Sequence, residues 1–95
     1  EIVVDTAHFK GNYPDRCFLQ AAAEAHGTPE EIAAASESWP VLLPEMKLAA
    51  DKVHVFSDGL AELGPVRFVR LNIMPDGGVS RLRLIGRVIK EGAGL

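Results

Sequence analysis

The chain has 95 residues, 47% of them apolar and 24% charged, with a formal net charge of -3. That composition fits one globular domain with a modest core. Ten basic residues are scattered among thirteen acidic ones, which argues against a nucleic-acid-binding surface, and the single cysteine, Cys17, excludes an internal disulfide or a cysteine-based zinc cluster. No apolar run approaches the ~18 residues of a membrane helix. A lone thiol fits a reducing compartment such as the cytoplasm.

In chain order, Ile2-Val3-Val4 is β-branched and reads as a buried strand. A chain that opens inside a strand, on Glu1, reads as a piece of a larger protein. Lys10-Gly11-Asn12-Tyr13-Pro14-Asp15 is turn chemistry, and Cys17 to Ala21 is the next strand. Thr28-Pro29-Glu30-Glu31 is a helix start: Thr28 caps, Pro29 suits the first position and Glu31 closes a capping box. One short helix over Ile32 to Ser36 is expected, as an excursion between strands.

Trp39-Pro40 ends the excursion, and Val41-Leu42-Leu43 and Val53-His54-Val55-Phe56 are further strands, the first confined to an edge or an end by Pro44. Val66 to Met74 carries the strongest strand pattern, with Arg67, Val69, Leu71 and Ile73 on one face and Phe68, Arg70 and Asn72 on the other. Pro75-Asp76-Gly77-Gly78 is a tight connection whose glycines can take positive φ. Arg81 to Val88 returns as a strand, with Arg81, Arg83 and Arg87 on one side. The Gly-rich segment 87–95 is a tail. Strands parted by turns predict an all-β, antiparallel jelly-roll sandwich with one short helix. Six strands where a jelly roll has about eight predict a single partial domain lacking N-terminal strands.

Two stretches concentrate chemistry. In the first, Asp5 and His8 stand at a strand end, followed by Lys10 and Asn12. A histidine titrates near neutrality and can move a proton, and a neighbouring carboxylate would orient its ring. Lys10 can hold an anion, and Asn12 can pair with an amide or ureido group. The plainer reading has Asp5 and Asn12 capping backbone groups while His8 packs at the strand edge.

In the second stretch, Arg70 and Asn72 share one strand face, as do Arg81 and Arg83 on the next strand. If those strands pair across the Pro75–Gly78 turn, the guanidiniums and the amide form a cradle for a carboxylate. The plainer reading is a polar sheet face, with Asp76 as a turn residue. No metal or other cofactor is expected. His8, His26 and His54 lack the close spacing of a local ligand pair, and Asp5-x-x-His8 offers only two ligands.

Asp5-Thr6-Ala7-His8-Phe9-Lys10-Gly11-Asn12 and Pro75-Asp76-Gly77-Gly78-Val79-Ser80-Arg81-Leu82-Arg83 resemble the two signature stretches of the allantoicase repeat. Trp39 to Pro44 and His54-Val55-Phe56 are similar to its intervening part, so the likeness runs from about Glu1 to Gly86. The short remainder after Gly86 looks more like the second repeat than the first. The resemblance implies a galactose-binding-like jelly roll and hydrolysis of allantoate to ureidoglycolate and urea. It also implies three partners: the substrate allantoate, the other repeat of the same enzyme, and further copies of the chain in a homo-oligomer. Within that reaction, His8 oriented by Asp5 is the expected proton-transfer group, with Asp76 second. Arg81 or Arg83 would take the carboxylate, and Lys10, Asn12, Arg70 and Asn72 would complete the binding set. The competing reading is a non-catalytic galactose-binding-like module that recognises a carbohydrate or a protein. The same fold serves both.

Overall fold

The computed structural model describes residues 1–75 and 77–86. Asp76 and the tail 87–95, including the expected continuation of the last strand to Val88, lie outside the described residues. The elements are β1 (Ile2–Asp5), β2 (Arg16–Ala22), α1 (Pro29–Ala35), a 3-10 turn (Ser36–Ser38), β3 (Val41–Lys47), β4 (Val53–Phe56), β5 (Phe68–Met74) and β6 (Arg81–Leu84). All six expected strands and the expected helix are present.

The strands form two antiparallel three-stranded sheets, ordered β4-β1-β6 and β3-β2-β5. Period-2 alternation turns one face of each sheet inward. Ile2 and Val4 of β1 meet Cys17 and Leu19 of β2 and Leu43 of β3, with Leu48 beside them. Val69, Leu71 and Ile73 of β5 and Leu82 of β6 pack against that cluster. Full burial of each large aliphatic side chain contributes about 1.5–3 kcal/mol. Pro44 lies on β3 where the register with β2 shifts, the bulge position at which a proline interrupts the ladder least.

The expected pairing of β5 with β6 does not occur. β5 pairs with β2 over seven residues, and β6 pairs with β1. Between β5 and β6 the chain passes from one sheet to the other instead of closing a hairpin. Pro75 lacks the N–H that would extend a ladder there.

Helix α1 begins as its sequence dictates. The Thr28 hydroxyl accepts the Glu31 N–H at 3.2 Å, and the Glu31 carboxylate accepts the Thr28 N–H at 3.1 Å. The Thr28 backbone bond, with the hydroxyl second, holds the Glu31 carboxyl below its ordinary range. The charged cap is therefore present at neutral pH and lost on acidification through that range.

The one polar core residue of β4 is His54. Its Nε2 lies 2.8 Å from the Ala49 N–H, which can only donate, so Nε2 accepts. Its Nδ1, 3.0 Å from the Val4 carbonyl, therefore carries the proton. Among the described residues no buried side-chain polar atom lacks a partner, and no helix is long and apolar enough to cross a membrane.

At the end of the sandwich holding the start of β1 and the end of β6, a cleft of about 970 Å3 opens. Leu42, Leu60, Val66, Val69, Leu84 and Ile85 line it.

Cys17 is fully buried, and burial pushes its thiol up to about 11 from an ordinary value of 9.0. Native protein at neutral pH is expected to label with a thiol reagent only as fast as the sandwich opens, and denatured protein at once. Because the folded state holds the proton more tightly, this group's contribution to stability is whole below pH 9 and declines as the pH rises towards 11. Thermal melts across that range, compared with those of a Cys17→Ala variant, check the sign.

Candidate functional site

The opposite end of the sandwich is built from loops that the two signature stretches supply. Thr6, at the end of β1, is fully buried. Its hydroxyl lies 2.7 Å from the Ala49 carbonyl and 3.1 Å from the Lys52 N–H, and its own N–H donates to the Lys52 carbonyl. The chain then turns: the Phe9 N–H donates to the Thr6 carbonyl at 3.0 Å, and His8 takes a left-handed φ of 72°. Asp5 accepts the Ala7 N–H at 2.8 Å and so braces the same turn. The neighbouring loop answers at Asp51, φ 46°. Its carboxylate accepts the His8 N–H at 2.8 Å, and its own N–H donates to the Phe9 carbonyl at 3.1 Å.

The second stretch lies directly on the first. Gly78 donates its N–H to the Asn12 carbonyl at 2.7 Å, and Ser80 donates its N–H to the Asp5 carbonyl at 2.7 Å. The Ser80 hydroxyl bonds the Ala7 carbonyl. A Cβ on Gly77 would stand 2.5 Å from the backbone of Tyr13 and Pro14, and one on Gly78 would enter the Phe9 ring. Close approach to the Tyr13–Pro14 backbone demands glycine at 77, and the Phe9 ring demands it at 78.

His8, Lys10 and Asn12 are all exposed at this end. Arg81 joins them, opposite Asp5 at the start of β6. Arg83 sits opposite Val3, two residues further along the outward face, and is also exposed. Neither arginine has an ion pair among the described residues. No hydrogen bond joins Asp5 to the His8 ring; the Asp5 Oδ1 accepts the Ala7 N–H. Asp76 lies outside the described residues.

Arg70 and Asn72 are not part of this gathering. They stand on the outward face of the other sheet, across the sandwich from Arg81 and Arg83. The Arg70 Nε donates to the Asn72 Oδ1 at 2.9 Å, and a terminal nitrogen donates to the Ser36 hydroxyl at 2.7 Å. The Asn72 amide donates to the Gln20 Oε1 at 3.0 Å, and the Gln20 amide in turn donates to the carbonyls of Glu37 and Trp39. This network fastens the helical excursion to β2 and β5. The four-group cradle expected from a β5–β6 hairpin is therefore overturned by the topology. Trp39 tilts against Phe68 at 6.2 Å and 51°, as a packing anchor. Among the described residues no three His, Cys, Asp or Glu side chains converge as a metal-ion set.

A family model described as the allantoicase repeat matches residues 1–89. The chain belongs to the allantoicase repeat family.

It is 58% identical over 90 residues to a probable allantoicase 1 of Burkholderia mallei, covering 95% of this chain and 27% of that protein. A probable allantoicase of Stutzerimonas stutzeri is 57% identical over 89 residues, covering 94% and 27%. A crystal structure of allantoicase from Saccharomyces cerevisiae superposes with a TM-score of 0.65 at 34% identity, over 86% of this chain and 21% of that one. The chain thus spans about a quarter of the length of the curated relatives it matches.

In this repeat the signature stretches do two jobs. Asp5, Thr6, Gly77, Gly78 and Ser80 hold backbone to backbone, and His8, Lys10, Asn12 and Arg81 remain presented to solvent. Sequence reasoning missed Thr6, Ser80 and Asp51 as builders of the site. Thr6 and Ser80 stood inside the motifs, where a buried hydroxyl between β-segments is a readable anchor. Asp51 lies 43 residues from His8 and had no local signal.

Gly77→Ala should destabilise the repeat by about 1–3 kcal/mol, the usual cost of overpacking, because the obstructing atoms are main chain and have nowhere to retreat. Gly11→Ala, where an added Cβ meets nothing within 4 Å, is the matched control. Denaturant melts of the two variants in the full-length protein should separate them clearly, with only Gly77→Ala losing midpoint.

Proposed function

We propose that the full-length protein containing this repeat is an allantoicase, hydrolysing allantoate to ureidoglycolate and urea, with the end that presents His8 as part of its active site. The substrate carbon carries a carboxylate and two ureido nitrogens. One carbon–nitrogen bond breaks, the oxygen of water bonds to that carbon, and the departing nitrogen takes a proton to leave as urea. The reaction therefore needs a cation for the carboxylate, amide partners for the ureido arms and a proton donor.

The observation that carries this reading is His8 itself. A left-handed backbone disfavours a residue with a Cβ by about 1–2 kcal/mol, and glycine or asparagine takes it at less cost. This chain places a histidine there, exposed, with its backbone held on both sides. Such strain gathers where the side chain is needed. His8 is the proton-transfer group, Arg81 holds the carboxylate, and Asn12 and Lys10 serve the ureido arms and the negative charge. Relatives bearing the allantoicase name across 95% of the chain support the reaction. The longer relatives support a partner elsewhere in the same polypeptide.

In the full-length protein, urea release from allantoate is expected. His8→Asn should reduce turnover by about 10²–10⁴, the usual worth of general acid–base catalysis. Its melting temperature should hold or rise, since asparagine tolerates the left-handed turn. Folded wild-type protein that liberates no urea would overturn the proposed reaction. A His8→Asn variant with more than about a tenth of wild-type turnover would leave His8 a packing residue.

Arg81 and Arg83 should differ. A two-residue step along β6 carries Arg83 about 6–7 Å from the loop end. Arg81→Lys keeps charge but loses the bidentate fork, so the Michaelis constant should rise with the melting temperature unchanged. Arg83→Lys should match the wild type. Steady-state kinetics on the two variants decides, and equal behaviour would remove Arg81 from the carboxylate site.

A further inference from the structure

We infer that Asp51 positions His8 for proton transfer, the part that the sequence pattern assigns to Asp5. The inference rests on the reading of His8 given above.

Among the described residues only His8 and Asp51 adopt a positive φ without being glycine. They are hydrogen-bonded together. The Asp51 carboxylate holds the His8 N–H at 2.8 Å, and the Asp51 N–H holds the carbonyl of Phe9, the next residue, at 3.1 Å. Asp51 thus holds the peptide unit before His8 by its N–H and the unit after Phe9 by its carbonyl, while the unit between them is held within the first loop, where the Phe9 N–H donates to the Thr6 carbonyl. The direction of the His8 Cα–Cβ bond is fixed with them.

The support reaches into the core. The loop carrying Asp51 is tied by Thr6 to the carbonyl of Ala49 and to Lys52, and His54 accepts the Ala49 N–H. Thr6 and His54 are both buried, so Asp51 stands on a rigid base. Glycine or asparagine at position 51 would carry the same turn with less strain. What aspartate adds over glycine is a side-chain oxygen that accepts the His8 N–H, which asparagine would also supply. Asp5, by contrast, accepts the Ala7 N–H through Oδ1 and makes no hydrogen bond to His8.

Four variants of the full-length protein test this: Asp51→Gly, Asp51→Asn, His8→Asn and the Asp51→Gly/His8→Asn pair. Glycine keeps the backbone conformation and removes the acceptor. Displacement of a reacting group by ~1 Å can cost on the order of 10²-fold, so kcat for urea release should fall about 10–100-fold in Asp51→Gly, with KM within about twofold. Asparagine retains an acceptor oxygen and tolerates the turn, and should recover most of kcat. The double variant should be no slower than His8→Asn alone, because Asp51 acts through His8.

Full kcat in Asp51→Gly, an asparagine variant as slow as glycine, or losses that multiply in the double variant would each overturn the inference. The imidazole proton resonances of His8, assigned in the same proteins by NMR, separate this failure from failure of the proposed reaction. Wild-type protein that releases no urea sinks the reaction. A His8 signal unmoved by Asp51→Gly sinks the positioning role, whatever the reaction is.

Discussion

Contact between two backbones governs this repeat. The 77–80 segment lies against the 9–14 turn so closely that neither Gly77 nor Gly78 has room for a side chain. Because of that approach, Gly78 reaches the Asn12 carbonyl and Ser80 reaches Asp5 and Ala7. Because Ser80 is held there, β6 enters beside β1 and not beside β5. The sheet order, the placing of Arg81 opposite Asp5 and the convergence of the two signature stretches all descend from it. Hydrogen bonds of this kind are each worth only about 0.5–1.5 kcal/mol net, so the steric fit at the two glycines counts beside them.

On that frame the functional side chains are added at a cost. A left-handed backbone is less favourable for His8 and Asp51 than for glycine, although both residue types are among those that tolerate it. These conformations persist because the surrounding bonds over-determine them: Thr6 and His54 fix the loop that carries Asp51, and Asp51 fixes the turn that carries His8. The other polar assembly, Arg70 with Asn72, Gln20 and Ser36, shows the opposite economy. Each of its groups is satisfied by a neighbour, and it holds an exposed helical excursion in place with no strained backbone. One cluster stabilises, and the other presents.

The strands were legible because short β-branched or apolar runs and turn residues mark them locally. Ile2 to Val4, Cys17 to Ala21 and Val53 to Phe56 needed no tertiary information, and neither did the Thr28–Glu31 capping box. Pairing was not legible. A short Pro-Gly connection between two strands looks like a hairpin, and only the steric demand of Tyr13, Pro14 and Phe9 on the glycines turns it into a crossover. The same error displaced Arg70 and Asn72. Their shared face was read correctly, but the residues that satisfy them, Gln20 and Ser36, come from 34 to 52 positions away. At the site, the motifs pointed to His8, Lys10, Asn12 and Arg81, which the fold gathers. Asp51 was invisible, because nothing near it in the chain announces a partner in the first loop.

The two ends of the sandwich are unequal. At one, Thr6, Asp51 and the paired glycines tie the sheets and loops together. At the other, Leu84 and Ile85 remain about half exposed beside an open apolar cleft. Local opening should then spread as a zipper does, from the slack end. Backbone amides near Ile85 would exchange with solvent deuterium long before those near Ser80 and Thr6, and a single strand such as β6 would carry a gradient of protection along its four residues. The chemistry-bearing loops would then open after the far end of the sandwich, an inversion of the usual picture in which such loops are the loosest part of a fold.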